Sequence, residues 1–274
     1  MSNTEYINYQ SLQLNSIGID NAKNEIIWYL EHINIFSKKD LLFKKKISPK
    51  IKQAIDQFVK KRKQLIPFQY ILNKCDFFGR DFIVDKRALI PRPETATIID
   101  YLYNKTFFSN ALEIGTGSGV ISCSLSLNKI ATNIISTDIS ASALTLAQEN
   151  IKLYKIKNIN LLEHNILIDS FDKKFDLIIS NPPYISLQDY NNLTNEIKHY
   201  EPREALTDEK DGLIFYKRYA EIIKNILTLD GVFYCEIGHS STCRDIEQIF
   251  QNNYTINWIE DLNNAPRFLE LKRL

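Results

Sequence analysis

From about residue 97 the chain alternates short apolar runs with helix-like stretches, and this order constrains the fold more than any other feature. NALEI reads as a strand, GTGSG as a loop, and VISCSLSL as the start of a helix. NIISTDI is a second strand, and SASALTLAQENIKLY is a helix with Ser140 as its N-cap. NINLLEHN and KFDLIIS follow as strands three and four, then a helix near DGLIFYKRYAEIIKNIL and a fifth strand, GVFYCEIG. YTINWIEDL and RFLELKRL close the chain as a hairpin. Repeated β-α-β order predicts an α/β fold, a doubly wound, mostly parallel seven-stranded sheet with helices on both faces.

The preceding residues read differently. Residues 1 to about 72 carry helical periodicity and few strand signals, which predicts a small helical bundle. Ile26, Ile27, Tyr29, Leu30 and Ile33 share helical spacing, with Asp20 as the expected N-cap. SKKDLLF suggests a short helix capped by Ser37. In SPKIKQAIDQFVKKRKQLIPFQYIL, Ser48 is the N-cap, Pro49 sits in the first turn, and Ile51, Ala54, Ile55, Phe58 and Val59 form one stripe. Residues 75–90 predict a β-hairpin turning at Gly79-Arg80-Asp81. The prolines of PRPET then mark a connector and a domain joint. The expected organisation is a helical domain over 1–74, a hairpin and proline-rich connector over 75–96, and a catalytic domain over 97–274.

Of the 274 residues, 44% are hydrophobic and 24% charged, a balance that suits a globular chain with a core of its own. The formal charge of +1 gives the molecule no general pull on nucleic acid or membrane, which disfavours direct nucleic-acid binding. Charge is nevertheless uneven. Between Lys38 and Lys63, eleven Lys and Arg face only Asp40 and Asp56. That run is either a solvated helix face or a contact surface for an acidic or RNA-bearing partner. Cys75, Cys123, Cys235 and Cys243 form no Cys-x-x-Cys pair and have no His cluster beside them, so neither structural zinc nor a disulfide framework is expected. Scattered thiols, no signal-peptide pattern in MSNTEYINYQ and no apolar run of about 18 residues point to a cytoplasmic protein with no membrane partner.

The candidate chemistry gathers where strands end. Gly115-Thr116-Gly117-Ser118-Gly119 joins a strand to a helix, and its glycines let backbone turn tightly against a ligand. Its G-x-G-x-G spacing matches neither the dinucleotide fingerprint nor a P-loop. Asp138 ends the second strand about 20 residues on, where an acid accepts from ribose hydroxyls. The alternative is a carboxylate favoured by a helix dipole. Because Ser140 caps the helix, Asp138 is expected to be free for a ligand. Asn165 and Ile166 follow the third strand, where an amide and an apolar face can meet a base; they also fit an ordinary strand end. The fourth strand runs into SNPPYI. Pro183 fixes its own φ and holds Pro182 extended, and neither proline offers an N–H. The Asn181 side-chain carbonyl and the Pro182 carbonyl then form a pair of acceptors for a planar –NH₂, with Tyr184 lying flat against it. Two such acceptors aim a poorly nucleophilic nitrogen at a methyl sulfonium and favour the charge that develops on it. A plain turn is the alternative.

With these pieces in place the chain resembles a class I, Rossmann-like methyltransferase dependent on S-adenosylmethionine, and more narrowly the protein-(glutamine-N5) methyltransferases of peptide-chain release factors, the PrmC or HemK family. The resemblance rests on PFQYI, FFGRDF, LIPRPET, LEIGTGSG, TDIS, SNPPYI, EPREAL, DGLIFY and EIGH, spread over nearly the whole chain. It implies methyl transfer to the glutamine amide of a Gly-Gly-Gln loop in class-1 release factors, with S-adenosylhomocysteine as the other product. Gly115, Thr116, Gly117, Ser118, Gly119, Asp138, Asn165, Ile166 and Asn181 would contact the cofactor. Asn181 and Pro182 would be catalytic, with Pro183 and Tyr184 shaping the substrate slot, and the helical domain would dock the rest of the release factor. The Asn-Pro-Pro-Tyr motif is shared with DNA adenine and RNA guanine amino-methyltransferases, the alternative reading. Three positions depart from the family pattern: Ala96 stands where an acid is common, Asn73 where glycine is, and Asn165-Ile166 where an Asp and a bulky residue are.

Overall fold

The computed structural model describes residues 1–42, 46–103 and 107–274, which divide into two compact units. The first is Met1–Lys74 together with Asn195–Tyr200, and the second is the rest. The division therefore falls before the hairpin, whereas the prolines of PRPET, expected to mark a joint, lie inside the second unit.

In the first unit, helix α1 (Asn3–Asn15) opens with a capping box between Ser2 and Glu5. Helix α2 (Ala22–His32) starts after Asn21 rather than Asp20, and no side chain caps it. The short helix expected in SKKDLLF is a 3-10 helix, Lys38–Leu42, with the Ser37 N–H and hydroxyl both donating to Asp40 at its head; Phe43 lies outside the described residues. Helix α3 (Pro49–Lys63) begins as its sequence dictates, with the Ser48 hydroxyl accepting from the Ile51 N–H. Its buried stripe, Ala54, Ile55, Phe58 and Val59, meets Ile7, Leu14, Ile26 and Leu30 in one apolar core. Helix α4 (Phe68–Leu72) ends on Asn73, which adopts a left-handed conformation (φ 50°). Asparagine tolerates that region better than other non-glycine residues, so it fills a glycine position.

Arg62 belongs to the basic run by sequence but not by location. It is 3% exposed, its Nε donates to Glu25 at 2.8 Å, and its Nη1 donates to the Ile66 carbonyl and to Glu196 of the 195–200 segment. Lys50, Lys52, Lys60, Lys61 and Lys63 are exposed, while Lys44 and Lys45 lie outside the described residues.

The second unit begins with the hairpin of β1 (Cys75–Phe77) and β2 (Arg80–Phe82). Its turn is Phe78-Gly79, both at positive φ, so Arg80 and Asp81 are strand residues rather than turn residues. That geometry is the two-residue turn whose twist matches paired strands. After a 3-10 turn over Pro93–Thr95 come α5 (Ala96–Leu102), β3 (Phe108–Ile114), α6 (Val120–Leu127), β4 (Ala131–Asp138), α7 (Ala141–Leu153) and β5 (Ile159–Glu163). Next are β6 (Phe175–Ser180), α8 (Leu187–Asn192), α9 (Asn195–Tyr200, in the first unit), α10 (Ile214–Ile226) and β7 (Leu227–Glu236). Helix α11 (Cys243–Phe250) and the antiparallel pair β8 (Tyr254–Glu260) and β9 (Pro266–Arg273) complete the chain.

These seven strands form one sheet in the order β5-β4-β3-β6-β7-β9-β8, parallel except at β9. Side chains alternate between faces with period two. Ala111, Leu177, Ile179, Val232 and Tyr234 join α5 and α6 on one face. Leu112, Ile178, Phe233 and Cys235 join α10 and α11 on the other. This two-sided burial is why the C-terminal halves of β3 and β6 are covered on both faces instead of alternating.

Replacing Arg62 with Met should cost the protein about 3 kcal/mol, because Glu25 is left buried without its cation. Adding Glu25→Leu should recover much of that loss; chemical denaturation of the single and double variants measures both.

Candidate active site

Strands β3, β4, β5 and β6 end along one edge of the sheet. Ile114 pairs with both Thr137 and Ser180, and Asp138 pairs with Glu163. The segments that follow β3 and β6 emerge side by side, where the strand order reverses and open α/β sheets bind ligands. A cavity of about 500 Å³ opens there. All of the site residues expected from sequence line it except Gly119 and Tyr184.

The glycine loop is fastened to β4. The N–H groups of Gly115 and Thr116 both donate to the Thr137 carbonyl, at 2.9 and 2.8 Å, and Gly119 N–H closes a turn onto Thr116. Gly119 has a second role, which places it outside the cavity wall. At φ +80° a Cβ there would stand 3.1 Å from the Ala147 Cβ, so its absence lets α6 approach α7. Asp138 is not the free carboxylate expected. Its Oδ2 accepts from Gly117 N–H at 2.8 Å and its Oδ1 from Ser140 N–H at 2.9 Å, while the Ser140 hydroxyl caps α7. Burial pushes the Asp138 carboxyl up, against those two N–H groups. Each oxygen retains a second lone pair for a hydroxyl. Asn165 is partly committed too: its Oδ1 accepts from Leu167 N–H, which leaves its –NH₂ as the free arm, and Ile166 beside it is buried. His164 also lines the cavity, stacked on Phe171 at 4.1 Å and held below the usual imidazole range by burial.

At the end of β6, the Ser180 hydroxyl donates to the Ile114 carbonyl and contacts the Tyr219 hydroxyl, both at 2.8 Å. The Asn181 Nδ2 donates to Thr95 Oγ1 at 3.3 Å. Thr95 donates to Glu236 Oε2 at 2.7 Å, and the Tyr184 hydroxyl reaches Glu236 Oε1 at 3.4 Å. Tyr184 therefore does not lie against the cavity. Its ring packs on Gly238, where a Cβ would come within 2.5 Å of it, and its carbonyl packs on Gly212. The backbone beyond it is pinned by Ile185 N–H on the Leu206 carbonyl.

Three buried glutamates, unassigned by the sequence reading, brace this arrangement. Glu113 Oε2 accepts from the Thr116 hydroxyl and Ser122 N–H. Glu201 accepts from Ile90 N–H and from Arg92, tying the RPET segment to the EPREAL segment. Glu236 holds Thr95 and Tyr184. Burial pushes both Glu113 and Glu236 up to about 7, opposed at Glu236 by Thr95, Arg267 and Tyr184. Thr95, Glu201 and Glu236 lie in RPET, EPREAL and EIGH, the pieces that sequence singled out without a role.

Residues 5–72 match the PrmC N-terminal domain and residues 93–209 the Methyltransferase small domain. The chain is 38% identical to the release factor glutamine methyltransferase of Fusobacterium nucleatum over 82% of its own length and 64% of the relative's. It is 33% identical to that of Lactococcus lactis, over 90% of this chain and 93% of the relative. Against the longer bifunctional methyltransferases of Rickettsia bellii and Rickettsia prowazekii it spans 54% and 55% of their lengths. A methyltransferase from Pyrococcus furiosus shares the fold, with a TM-score of 0.56 at 19% identity over 77% of this chain and 98% of that one.

Glu113 and Glu236 bind more protons folded than unfolded between 4.5, their ordinary value, and about 7. Each therefore withdraws stability as pH rises through that window. Glu113→Gln should lose this component, so the wild-type minus variant difference in unfolding free energy should fall from pH 5 to pH 7.5. His164, whose depressed value adds stability with rising pH, cancels in that difference.

Proposed function

Because the chain belongs to the release factor glutamine methyltransferase family, we propose that it transfers a methyl group from S-adenosylmethionine to the side-chain amide nitrogen of a class-1 release factor's Gly-Gly-Gln glutamine. The observation that carries this reading is the state of Asn181. Its nitrogen is spent on Thr95, which leaves its carbonyl oxygen as the acceptor beside the cavity. The Pro182 carbonyl follows in a stretch where neither proline has an N–H to compete.

The cavity suits a nucleoside-sized ligand. Asp138 has acceptor capacity left for hydroxyls, Asn165 has a free –NH₂, Ile139 and Ile166 offer apolar surface, and residues 115–118 bring backbone close. These residues would hold S-adenosylmethionine, which when bound supplies a methyl group on a positively charged sulfur. The two acceptors orient the substrate –NH₂ and favour positive charge developing on it. Nothing in Asn-Pro-Pro-Tyr is a base, and the amide proton leaves to solvent after transfer, when the nitrogen is far more acidic.

The first unit serves as the docking domain for the body of the release factor, with exposed Lys60, Lys61 and Lys63 on α3 facing an acidic partner. The described residues contain no helix long and apolar enough to cross a membrane.

Radiolabelled S-adenosylmethionine offered with a release factor, its glutamine-substituted variant, DNA and RNA tests the reading. Label should appear on the unaltered release factor alone; label on nucleic acid but not protein gives the amino-methyltransferase alternative. Asn181→Ala should lower kcat roughly 10²–10³-fold, by analogy with loss of one charge-stabilising group, while calorimetry still finds S-adenosylmethionine bound, since Asn181 is one cofactor contact among several.

A further inference from the structure

An asparagine side chain has nearly the same shape after a half-turn of its amide, but the turn exchanges acceptor for donor. If Asn181 aims the substrate amide, a flipped Asn181 sets –NH₂ against –NH₂. The contact that holds its orientation is with Thr95, and a hydroxyl does not choose, since it both donates and accepts. The choice is made one group further on. Glu236 lies 2.7 Å from Thr95 Oγ1, and its other oxygen meets the Tyr184 hydroxyl. An ionised carboxylate only accepts. The single Thr95 proton is therefore committed to Glu236, and only its lone pairs face Asn181.

We propose that Glu236, acting through Thr95, is a positioning residue that sets which end of the Asn181 carboxamide faces the cavity. The proposal rests on the reading of Asn181 as an acceptor for the substrate amide. Donation runs one way, from Asn181 to Thr95 to Glu236. Protonation of Glu236 on Oε2 reverses it: the acid donates to Thr95, and Thr95 becomes a donor to Asn181 Oδ1, which stabilises the flipped amide. Thr95 and Glu236 are 3% and 1% exposed, so water does not compete for either. The charged and titratable groups facing Glu236 are Arg267 of β9, which favours the anion, Glu94 beside Thr95, which opposes it, Tyr184, which donates to it, and the buried Tyr216 of α10 and Cys235 of β7, both of which its charge holds further in their neutral forms. Arg267 is itself fixed by Asp261. With burial pushing Glu236 up to about 7, the relay switches near neutral pH.

Thr95→Val, Thr95→Ser and Glu236→Gln test this. Thr95→Val should lower kcat about 10- to 100-fold, the usual cost of losing a group that orients a functional residue. Cofactor affinity should hold, and Thr95→Ser should restore most of the rate. The wild-type rate should fall below pH about 7, and Thr95→Val should lack that limb. Glu236→Gln keeps an accepting oxygen for Thr95 but no ionisable group, so it should lose the pH limb, and the double variant should be no worse than Thr95→Val; should the buried Gln prevent folding, the Thr95 pair decides. Wild-type kcat with an unchanged pH limb in Thr95→Val overturns the proposal. A second readout needs no release factor. The Asn181 side-chain –NH₂, observed by ¹⁵N NMR with selective labelling, should have one proton protected from solvent exchange in the wild type and none in Thr95→Val. Protection without any release-factor methylation would refute the proposed function and leave the relay standing, whereas an unprotected wild-type amide would refute the relay.

Discussion

The pairing of β3 with β6 is the contact on which the rest of the site depends. The two strands are separated in sequence by β4 and β5, yet their register sets Ile114 opposite Ser180 and brings Gly115 against Asn181. A Cβ on Gly115 would lie 3.8 Å from the Asn181 backbone oxygen, so the glycine loop and the Asn-Pro-Pro-Tyr turn share one wall of the cavity. The register is held from both faces. Leu177 and Ile179 pack into one core and Ile178 into the other, so a slip of one residue would exchange the two sets. The Ser180 hydroxyl on the Ile114 carbonyl fixes the last step.

Around this junction, rigidity comes from buried carboxylates rather than from more apolar packing. A buried carboxylate is costly unless hydroxyls and N–H groups satisfy it, so each one demands that its partners be in place. Glu113 gathers residues 116 and 122, Glu201 gathers 90 and 92, and Glu236 gathers 95 and 184. Glu113 thus braces the loop after β3, Glu201 ties the RPET segment to EPREAL, and Glu236 joins the RPET segment to the Asn-Pro-Pro-Tyr turn. Such support is what holds a reacting constellation to the tolerance that transfer chemistry requires.

The first unit obeys simpler rules. Its core is one apolar cluster shared by α1, α2 and α3, and its buried Arg62–Glu25 pair replaces what a charge count reads as surface. Asn73 ends α4 in the left-handed region, which asparagine tolerates better than other non-glycine residues.

Periodicity and order made most of this protein legible. The seven strands, the Ser48 and Ser140 caps, the glycine loop and the Asn-Pro-Pro-Tyr turn were readable because each depends on neighbours within a few residues. The Phe78-Gly79 turn was misplaced by one residue because a phenylalanine at positive φ carries no local signal. The partners of Asn181, the tether on Asp138 and the retreat of Tyr184 from the cavity were not legible, nor was the removal of Arg62 from the surface. Most of those facts join residues 21 to 141 positions apart, and only the folded chain brings such groups within hydrogen-bonding distance. Sequence thus determined which groups stand at the strand ends. Tertiary structure decided which of their atoms are already spent on the protein and which remain for a ligand, because that depends on contacts no local pattern encodes.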